Sequence, residues 1–158
     1  MRYSENFTLH GYSGASHSDD PNNSRSVSSY LYMFARGPVT CSSKKQPVVA
    51  LSSFESEYIA LAYASQEAVY LSNLLIESTF LQFSVQIYEY KIGALQLSGT
   101  AAFSSKTKHI FARYHFLREL VAWNNIIVSH VKTTDQLADA FTKFLDYAIL
   151  DKIINFAS

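Results

Sequence analysis

Two basic clusters are the side chains of this sequence best suited to binding a charged partner. One is Lys44 with Lys45, and the other is a later segment that holds Lys106, Lys108, His109, Arg113, His115 and Arg118. Lysine and arginine contacts to phosphates release counterions, which drives binding to a nucleic-acid backbone. The sequence has 13 basic and 13 acidic residues, a balance that excludes a broadly basic coat and also fits a solvated surface. Local contact with nucleic acid is therefore one of two interpretations.

Cysteine and histidine offer little metal or redox chemistry. Cys41 is the sole cysteine, so it cannot form an internal disulfide or build a thiolate zinc site alone. We expect it to be a small buried residue on a strand. His109 and His115 do not have the one-turn spacing of chelating histidines. The single thiol fits a reducing compartment, and we expect an intracellular location in the cytoplasm or nucleus.

Two carboxylates stand near predicted helix starts. Glu57 follows Ser52 and Glu55, which have the spacing of a capping box. Asp135 lies between Thr133 and Gln136, which have the same spacing. Each acid would complement the helix dipole in a first turn, so Glu57 and Asp135 taken alone indicate a structural role.

The elements that position these residues follow from hydrophobic periodicity and turn signals. Strands are predicted at 9–15, 27–35, 39–42, 83–90 and 126–131, with a turn at Gly37 and Pro38. Helices are predicted at about 52–77, 92–97, 108–123, 133–143 and 148–156. The order β-β-β-α-β-α-α-β-α-α predicts a mixed α/β fold. We expect an antiparallel β1-β2-β3 meander, β/α crossovers and helices on both faces of one sheet.

Length and composition limit the size and setting of this fold. The chain has 158 residues, 48% of them hydrophobic, which suits one domain with a core and is too short for two ordinary domains. No run approaches the roughly 18 apolar residues that a membrane span needs, so we expect no membrane partner. The first residues lack the apolar stretch of a signal peptide. We expect residues 1–10 to be an N-terminal lead-in and residues 11–158 to form the domain.

Four motifs in a fixed order give the most specific signal. They are GPVTCSSKKQPVVALSS at 37–53, ESEYIAL at 55–61, TKHI at 107–110 with RYHF at 113–116, and DQLADAFTK at 135–143. Together they resemble the C-terminal ribonuclease H domain of copia-type LTR retrotransposon Pol polyproteins. The resemblance runs from about residue 11 to the end. It implies a ribonuclease H-like fold with a five-stranded mixed sheet, and a parent polyprotein that includes reverse transcriptase and integrase.

The resemblance also implies a chemistry, the cleavage of the RNA strand of RNA–DNA hybrids by two Mg²⁺ ions held on four carboxylates. Magnesium prefers hard oxygen ligands, and a metal pair can activate water and stabilise the leaving oxygen. Glu57 and Asp135 match two of the four carboxylates. Gly14 and Tyr90 stand where the resemblance places aspartates. Glycine has no ligand atom and a neutral tyrosine is a poor one, so we predict vestigial metal ligands at Glu57 and Asp135 and no bound Mg²⁺.

Three functions follow from this comparison. The favoured one is a degenerate ribonuclease H-like domain without nuclease activity. An active Mg²⁺-dependent endonuclease would need replacement carboxylates, for which the candidates are Asp19, Asp20, Glu55, Glu89 and Asp139, the last being the best placed. The third is a non-catalytic module that binds an RNA–DNA hybrid or other nucleic acid, with backbone contacts from Lys44, Lys45, Lys108, His109, Arg113 and His115.

Overall fold

The computed structural model describes residues 8–17, 21–79, 84–90, 108–142 and 147–156, with the backbone alone at 79, 108–111, 149 and 156. The strands in these ranges form one mixed sheet in the order β3-β2-β1-β4-β5. They are β1 (His10–Ser16), β2 (Val27–Phe34), β3 (Gly37–Lys45), β4 (Val85–Glu89) and β5 (Ile126–His130). The β1–β2 and β2–β3 pairs are antiparallel, whereas the β1–β4 and β4–β5 pairs are parallel. The predicted meander and mixed sheet are confirmed.

The β2–β3 hairpin turns earlier than the sequence predicts. Ala35 and Arg36 form its two-residue loop with positive φ angles of 49° and 68°, as a type I′ turn requires to match the twist of the strands. Gly37 and Pro38 begin β3, so the turn predicted there is wrong. Proline is tolerated because β3 is an edge strand. Cys41 is exposed on this edge strand, and the prediction that it is buried is also wrong.

Helix α1 spans Ser53–Thr79 and begins where the capping-box spacing predicts. The Glu55 N–H donates to Ser52 Oγ at 3.1 Å, and Glu55 Oε2 accepts the Leu51 N–H at 2.7 Å. The predicted apolar face packs on the sheet, and its buried members include Tyr58, Leu61, Ala62 and Ala68. Because the cap fixes the first turn, the next residues of α1 have a defined position beside the end of β1.

The segment after β5 differs from its prediction. In place of one helix over 133–143, two short 3₁₀ helices span Thr133–Asp135 and Leu137–Phe141. Gln136 separates them with an extended backbone, at φ −77° and ψ 93°. The Gln136 N–H bonds to the Thr133 carbonyl at 3.3 Å. The predicted capping box is therefore wrong, because a turn carbonyl rather than the Thr133 side chain takes this N–H.

Two buried clusters lie on opposite faces of the sheet. Tyr32 belongs to one cluster and its neighbour Leu31 to the other, as the alternation of side chains along a strand requires. Helices α1 and α2 (Lys108–Ala122) contribute to the Tyr32 cluster. Ile153 of helix α3 (Tyr147–Phe156) packs against the Leu31 cluster. The prediction of helices on both faces is confirmed.

Three of the sequence predictions stay predictions. The helix predicted at 92–97 and the acids Asp19 and Asp20 lie outside the described residues. Strand β1 begins at His10, and the division between a lead-in at 1–10 and a domain at 11–158 stays a prediction. Within the ranges given above, no helix is long and apolar enough to cross a membrane.

Candidate functional site

A cavity of about 260 Å³ opens where β1 and β4 end. Its lining comes from the end of β1, the first turns of α1, the residue after β4 and the 3₁₀ segment. The lining residues are Gly14, Ala15, Ser16, His17, Ser53, Glu57, Tyr90, Thr133, Gln136 and Asp139. Because Glu57 and Asp139 are its acids, we refer to it as the carboxylate cavity.

Glu57 is fixed at the wall of the carboxylate cavity. It is only 8% exposed, and its Oε2 accepts the backbone N–H of Ala15 at 2.8 Å. Hydrogen bonds to an ionised group are stronger than those between neutral groups, so this contact holds the side chain firmly. The same contact engages one of the two oxygens that could otherwise bind a metal.

Asp139 reaches the cavity from the second 3₁₀ helix, which buried hydrogen bonds tie to the sheet. Gln136 Nε2 donates to the Ser13 carbonyl at 2.7 Å, and Gln136 Oε1 accepts the Ala138 N–H at 3.3 Å. The Ser29 hydroxyl of β2 donates to the Ala138 carbonyl at 2.8 Å. These contacts position Asp139 against the end of β1.

Gly14 and Tyr90 line the carboxylate cavity at the two positions where the resemblance places aspartates. The parallel register pairs Ser13 with Glu89, so Gly14 and Tyr90 are the next positions along their strands. A Cβ on Gly14 would lie 3.3 Å from Asp139 Oδ1. The Asp139 carboxylate therefore lies next to Gly14, the position that has no side chain.

Asp135 does not line the carboxylate cavity. Its side chain is 57% exposed, and its Oδ1 lies 3.0 Å from Lys152 Nζ of α3. Burial raises the pKa of Tyr12, and the charges of Tyr88 and Asp135 raise it further. Because Tyr12 belongs to the Leu31 cluster, Asp135 lies near that face of the sheet. This carboxylate forms a surface ion pair with Lys152, and its assignment as a vestigial metal ligand stays a prediction.

The backbone of the late segment explains why Asp139, rather than Asp135, lines the carboxylate cavity. The extended Gln136 interrupts the helix, and the buried pair Leu137 and Ala138 anchors the second turn beneath the sheet. Asp139 follows this apolar pair directly. The apolar pair was the signal in the sequence that could have identified Asp139, which the sequence named only as a replacement candidate.

Two other replacement candidates, Glu55 and Glu89, are described by the structure and do not line this cavity. Glu55 caps the start of α1 through the Leu51 N–H. Glu89 is 1% exposed and accepts the Tyr90 N–H at 2.9 Å. Its position in the register pairs it with Ser13, on the opposite side of the strand from the position of Tyr90.

The described donors do not fit a pair of magnesium ions. Across the described ranges, no group of three or more His, Cys, Asp and Glu side chains is arranged to hold a metal ion. The carboxylate cavity offers Glu57, with one oxygen already hydrogen-bonded, and Asp139. A metal pair needs a carboxylate shared between its ions, and Gly14 supplies none.

A second cavity, of about 220 Å³, lies between β3, α1 and α2. Its lining residues are Ser28, Lys44, Lys45, Gln46, Pro47, Ile59, Tyr63, Gln66 and Arg113. We refer to it as the basic cavity. The structure thus brings together three of the six residues predicted to contact nucleic acid. No pattern in the sequence indicated Gln46 and Tyr63, because their place in this lining depends on how α1 packs on β3.

The remaining predicted nucleic-acid contacts belong to α2, and among them the structure describes the side chain of His115. His115 is exposed and its ring packs edge-on against Tyr114, with 6.0 Å between centroids. Lys108 and His109 are the first residues of α2, and their side chains lie outside the described part of the structure. These three residues stay predictions.

Comparison with curated proteins finds relatives of one kind over most of the chain. The retrovirus-related Pol polyprotein from transposon RE2 of Arabidopsis thaliana is 37% identical over 144 residues, covering 90% of this chain and 10% of that protein. The corresponding polyprotein from transposon TNT 1-94 of Nicotiana tabacum is 36% identical over 135 residues, covering 85% of this chain and 10% of that protein. The chain therefore spans about a tenth of the length of these curated relatives. No family model matches the chain.

Comparison with solved structures shows the fold. LC11-RNase H1, isolated from compost by a metagenomic approach, aligns with a TM-score of 0.61 at 14% identity, covering 93% of this chain and 98% of that chain. The same protein in complex with an RNA/DNA hybrid aligns with a TM-score of 0.59 at 13% identity, covering 93% and 99% of the two chains. With this fold and these homologues, the chain is a ribonuclease H-like domain that is homologous to a tenth-length part of the Pol polyproteins of copia-type retrotransposons.

Proposed function

We propose that this chain is a degenerate ribonuclease H-like domain that does not hydrolyse RNA–DNA hybrids. The observation that carries the proposal is the composition of the carboxylate cavity, in which Gly14 and Tyr90 stand beside Glu57 and Asp139. The resemblance gives this site four carboxylates, and two of those positions have no acidic side chain here.

We expect no hydrolysis because the carboxylates of a two-metal site bind the metal ions together. Carboxylates bring Mg²⁺ ions together because their charge offsets both desolvation and the repulsion between the ions. With Gly14 at the position of the shared ligand, no side chain links one metal position to the other. Tyr90 supplies no carboxylate at the other position.

A cleavage assay tests this proposal directly. The chain is incubated with an RNA–DNA hybrid labelled on the RNA strand, in Mg²⁺ or Mn²⁺, with EDTA as the metal-free control. We expect no metal-dependent product. Metal-dependent cutting that disappears in Glu57→Gln would overturn the proposal and favour the active endonuclease.

We infer, as a second function, that the domain binds nucleic acid without cutting it. Lys44, Lys45 and Arg113 line one cavity and concentrate positive charge in a chain of zero net charge. The solved complex of LC11-RNase H1 with an RNA/DNA hybrid makes a hybrid the first probe to use. Retention of a labelled hybrid in EDTA, weakening steeply with salt, would support this function. A salt-independent or absent signal would contradict it.

The setting of the domain is also a proposal. We infer that it derives from a polyprotein that includes reverse transcriptase and integrase. We further infer an intracellular location, because its single exposed thiol, Cys41, persists most readily where the environment is reducing.

A further inference from the structure

We infer that the carboxylate cavity is a binding site for an alkylammonium group, the cation that polyamines and lysine side chains carry. Two carboxylates, Glu57 and Asp139, line the cavity. Among the described residues, no lysine or arginine lines it, and His17 is the one lining side chain that can become cationic. The lining therefore favours a small, positively charged ligand.

Ser16 supplies a polar group that the described part of the fold does not use. The residue is 5% exposed, and its Oγ is buried with no hydrogen-bond partner in the ranges that the structure describes. A buried hydroxyl without a partner is unfavourable, so a ligand that donates to Ser16 Oγ gains a hydrogen bond that the fold does not make. Ser16 also lines the carboxylate cavity, which places this acceptor in the same lining as the two acids.

Gly14 gives the ligand room next to Asp139. A Cβ at position 14 would lie 3.3 Å from Asp139 Oδ1 and 3.6 Å from the Ala138 Cβ, so a side chain there would crowd this carboxylate. The cavity has a volume of about 260 Å³, whereas one water molecule occupies about 30 Å³ in the liquid. The space suits an ammonium group together with part of its alkyl stem.

These side chains suit an ammonium group better than a pair of metal ions. Mg²⁺ requires a nearly octahedral shell of oxygen ligands, and two ions require a carboxylate between them. An alkylammonium group has one charge and three N–H donors, which carboxylates and a hydroxyl can accept without a shared ligand. The inference rests on the proposed function in one respect, namely that no metal pair fills the cavity.

Tyr90 connects the lining to solvent. It is 41% exposed, and its ring centroid lies 6.1 Å from that of His130. An aromatic face attracts cations, and alkyl stems of charged groups pack on apolar surface. Because Tyr90 lines the cavity and is also partly exposed, its ring is available to the stem of a bound ligand.

The first experiment titrates 1,4-diaminobutane into the intact chain in EDTA and follows the backbone amide signals by NMR, with sodium chloride of equal ionic strength as the reference. We expect saturable shifts at Ala15 and Ser16, because both residues line the cavity. Asp139→Asn should weaken binding by about tenfold, the size expected for one charge-assisted hydrogen bond. Asp151→Asn is the matched control, an exposed acid on α3 outside the described lining, and should leave the Kd unchanged. An equal Kd in both variants, or shifts that do not saturate, would overturn the inference.

Ser16→Ala separates the hydrogen bond from the charge, because it removes Oγ and leaves both carboxylates. We expect the Kd for 1,4-diaminobutane to rise by about fivefold, the size of one ordinary hydrogen bond. Ser43→Ala, at an exposed position of β3, should leave the Kd unchanged. An unchanged Kd in Ser16→Ala would count against the site. If Asp139→Asn does not fold, Glu57→Gln replaces it, since glutamine keeps an acceptor for the Ala15 N–H.

A second experiment compares n-butylammonium with n-butyltrimethylammonium, which has the same charge and no N–H donor. We expect the trimethyl compound to bind more weakly by about tenfold or more. Equal binding of the two compounds would overturn the assignment of an ammonium group, because charge alone would then account for the affinity.

A third titration, with lysine capped at its amino and carboxyl groups, identifies the source of the ammonium group. If capped lysine binds as tightly as n-butylammonium, the occupant is a lysine side chain. If 1,4-diaminobutane binds and capped lysine does not, the occupant is a free polyamine. Either result supports the site, and binding by none of these compounds contradicts it. All titrations are made in EDTA, so cutting of a hybrid in Mg²⁺ would contradict the proposed function without changing these results.

Discussion

The carboxylate cavity and the basic cavity both use α1 as a wall, yet they differ in what their chemistry requires. The first has two acids where the resemblance gives four, whereas the second has three cations with no acid in its described lining. A metal pair is held collectively, so the absence of one shared ligand removes the whole site. Phosphate contacts add individually, so a partial set of cations retains part of the affinity. Loss of cutting and retention of binding are therefore compatible in one domain.

The largest expected effect comes from rebuilding the carboxylate cavity with Gly14→Asp and Tyr90→Asp together. We expect metal-dependent cutting of an RNA–DNA hybrid, with a rate gain on the order of 10² or more, as for other groups that stabilise charge in a transition state. In this background, Asp139→Asn should abolish cutting, because Asp139 lines the cavity. Asp135→Asn is the matched control and should leave cutting intact, because Asp135 pairs with Lys152. If Asp135→Asn abolishes cutting and Asp139→Asn does not, Asp135 is the metal ligand instead.

The rebuilt site also has an expected stability penalty. A Cβ at position 14 would be 3.3 Å from Asp139 Oδ1, and a carboxylate there adds like-charge repulsion. We expect Gly14→Asp to lower the free energy of unfolding in EDTA by about 1–3 kcal/mol, measured by urea titration. If Mg²⁺ raises the free energy of unfolding of the double variant and of no other protein tested, the added carboxylates bind the metal.

Gln136→Ala should detach the 3₁₀ wall of the carboxylate cavity from β1. The substitution removes the donor to the Ser13 carbonyl and the acceptor for the Ala138 N–H, both buried. We expect a loss of about 1–3 kcal/mol in the free energy of unfolding, the penalty of leaving buried groups unpaired. Gln86→Ala is the control, since Gln86 bonds Ser129 and Ile127 in a more exposed place. An equal loss in both variants would contradict the special role of Gln136.

For the basic cavity, Lys44→Gln with Lys45→Gln should weaken hybrid binding and flatten its salt dependence. We expect the slope of log K against log salt to become shallower by about 2, close to one unit for each phosphate contact removed. Fluorescence anisotropy at several salt concentrations in EDTA measures the slope. Arg36→Gln, which changes one charge outside the cavity, should leave the slope unchanged. A change of equal size in that control would point to a general charge effect.

The smallest expected effect concerns Tyr30, whose ring packs 5.2 Å from that of Tyr63 under the basic cavity. Burial, with the nearby Glu67, raises the pKa of Tyr30 to about 12 from 10.0. The unfolded chain therefore loses this proton at lower pH than the folded chain, and stability falls between pH 10 and about 12. We expect Tyr30→Phe to lose less stability over that window in urea titrations. Tyr70→Phe, at an exposed position, should behave like the unmodified chain, and an equal response in both would contradict the assignment.

The sequence predicted the elements of the fold more accurately than the details of its turns. The start of α1 was predictable because Ser52 and Glu55 form a local cap. The hairpin turn was misplaced because Gly37 and Pro38 are strong turn formers, whereas Ala35 and Arg36 adopt positive φ only under the constraint of two paired strands. Local signals were reliable where the interaction that decides the structure is itself local.

The candidate site was predicted in part for the same reason. Glu57 lies in α1, Gly14 in β1 and Tyr90 directly after β4, and all three line the carboxylate cavity. Asp135 was expected there because the resemblance matches it to an aspartate at the start of the late helix. Buried contacts of Gln136 and Leu137 with the rest of the domain impose two short turns instead, which place Asp139 in the cavity.

By itself, the amino-acid sequence determined which side chains this domain has, and so that Gly14 and Tyr90 offer no carboxylate to a metal. It also determined the order of strands and helices, because the period of apolar residues differs between the two. Only the tertiary structure decided which acid lines the carboxylate cavity with Glu57, and that Arg113 and Lys44 line one cavity. Those neighbours are distant in sequence, and they are selected by the packing of whole elements rather than by any local preference.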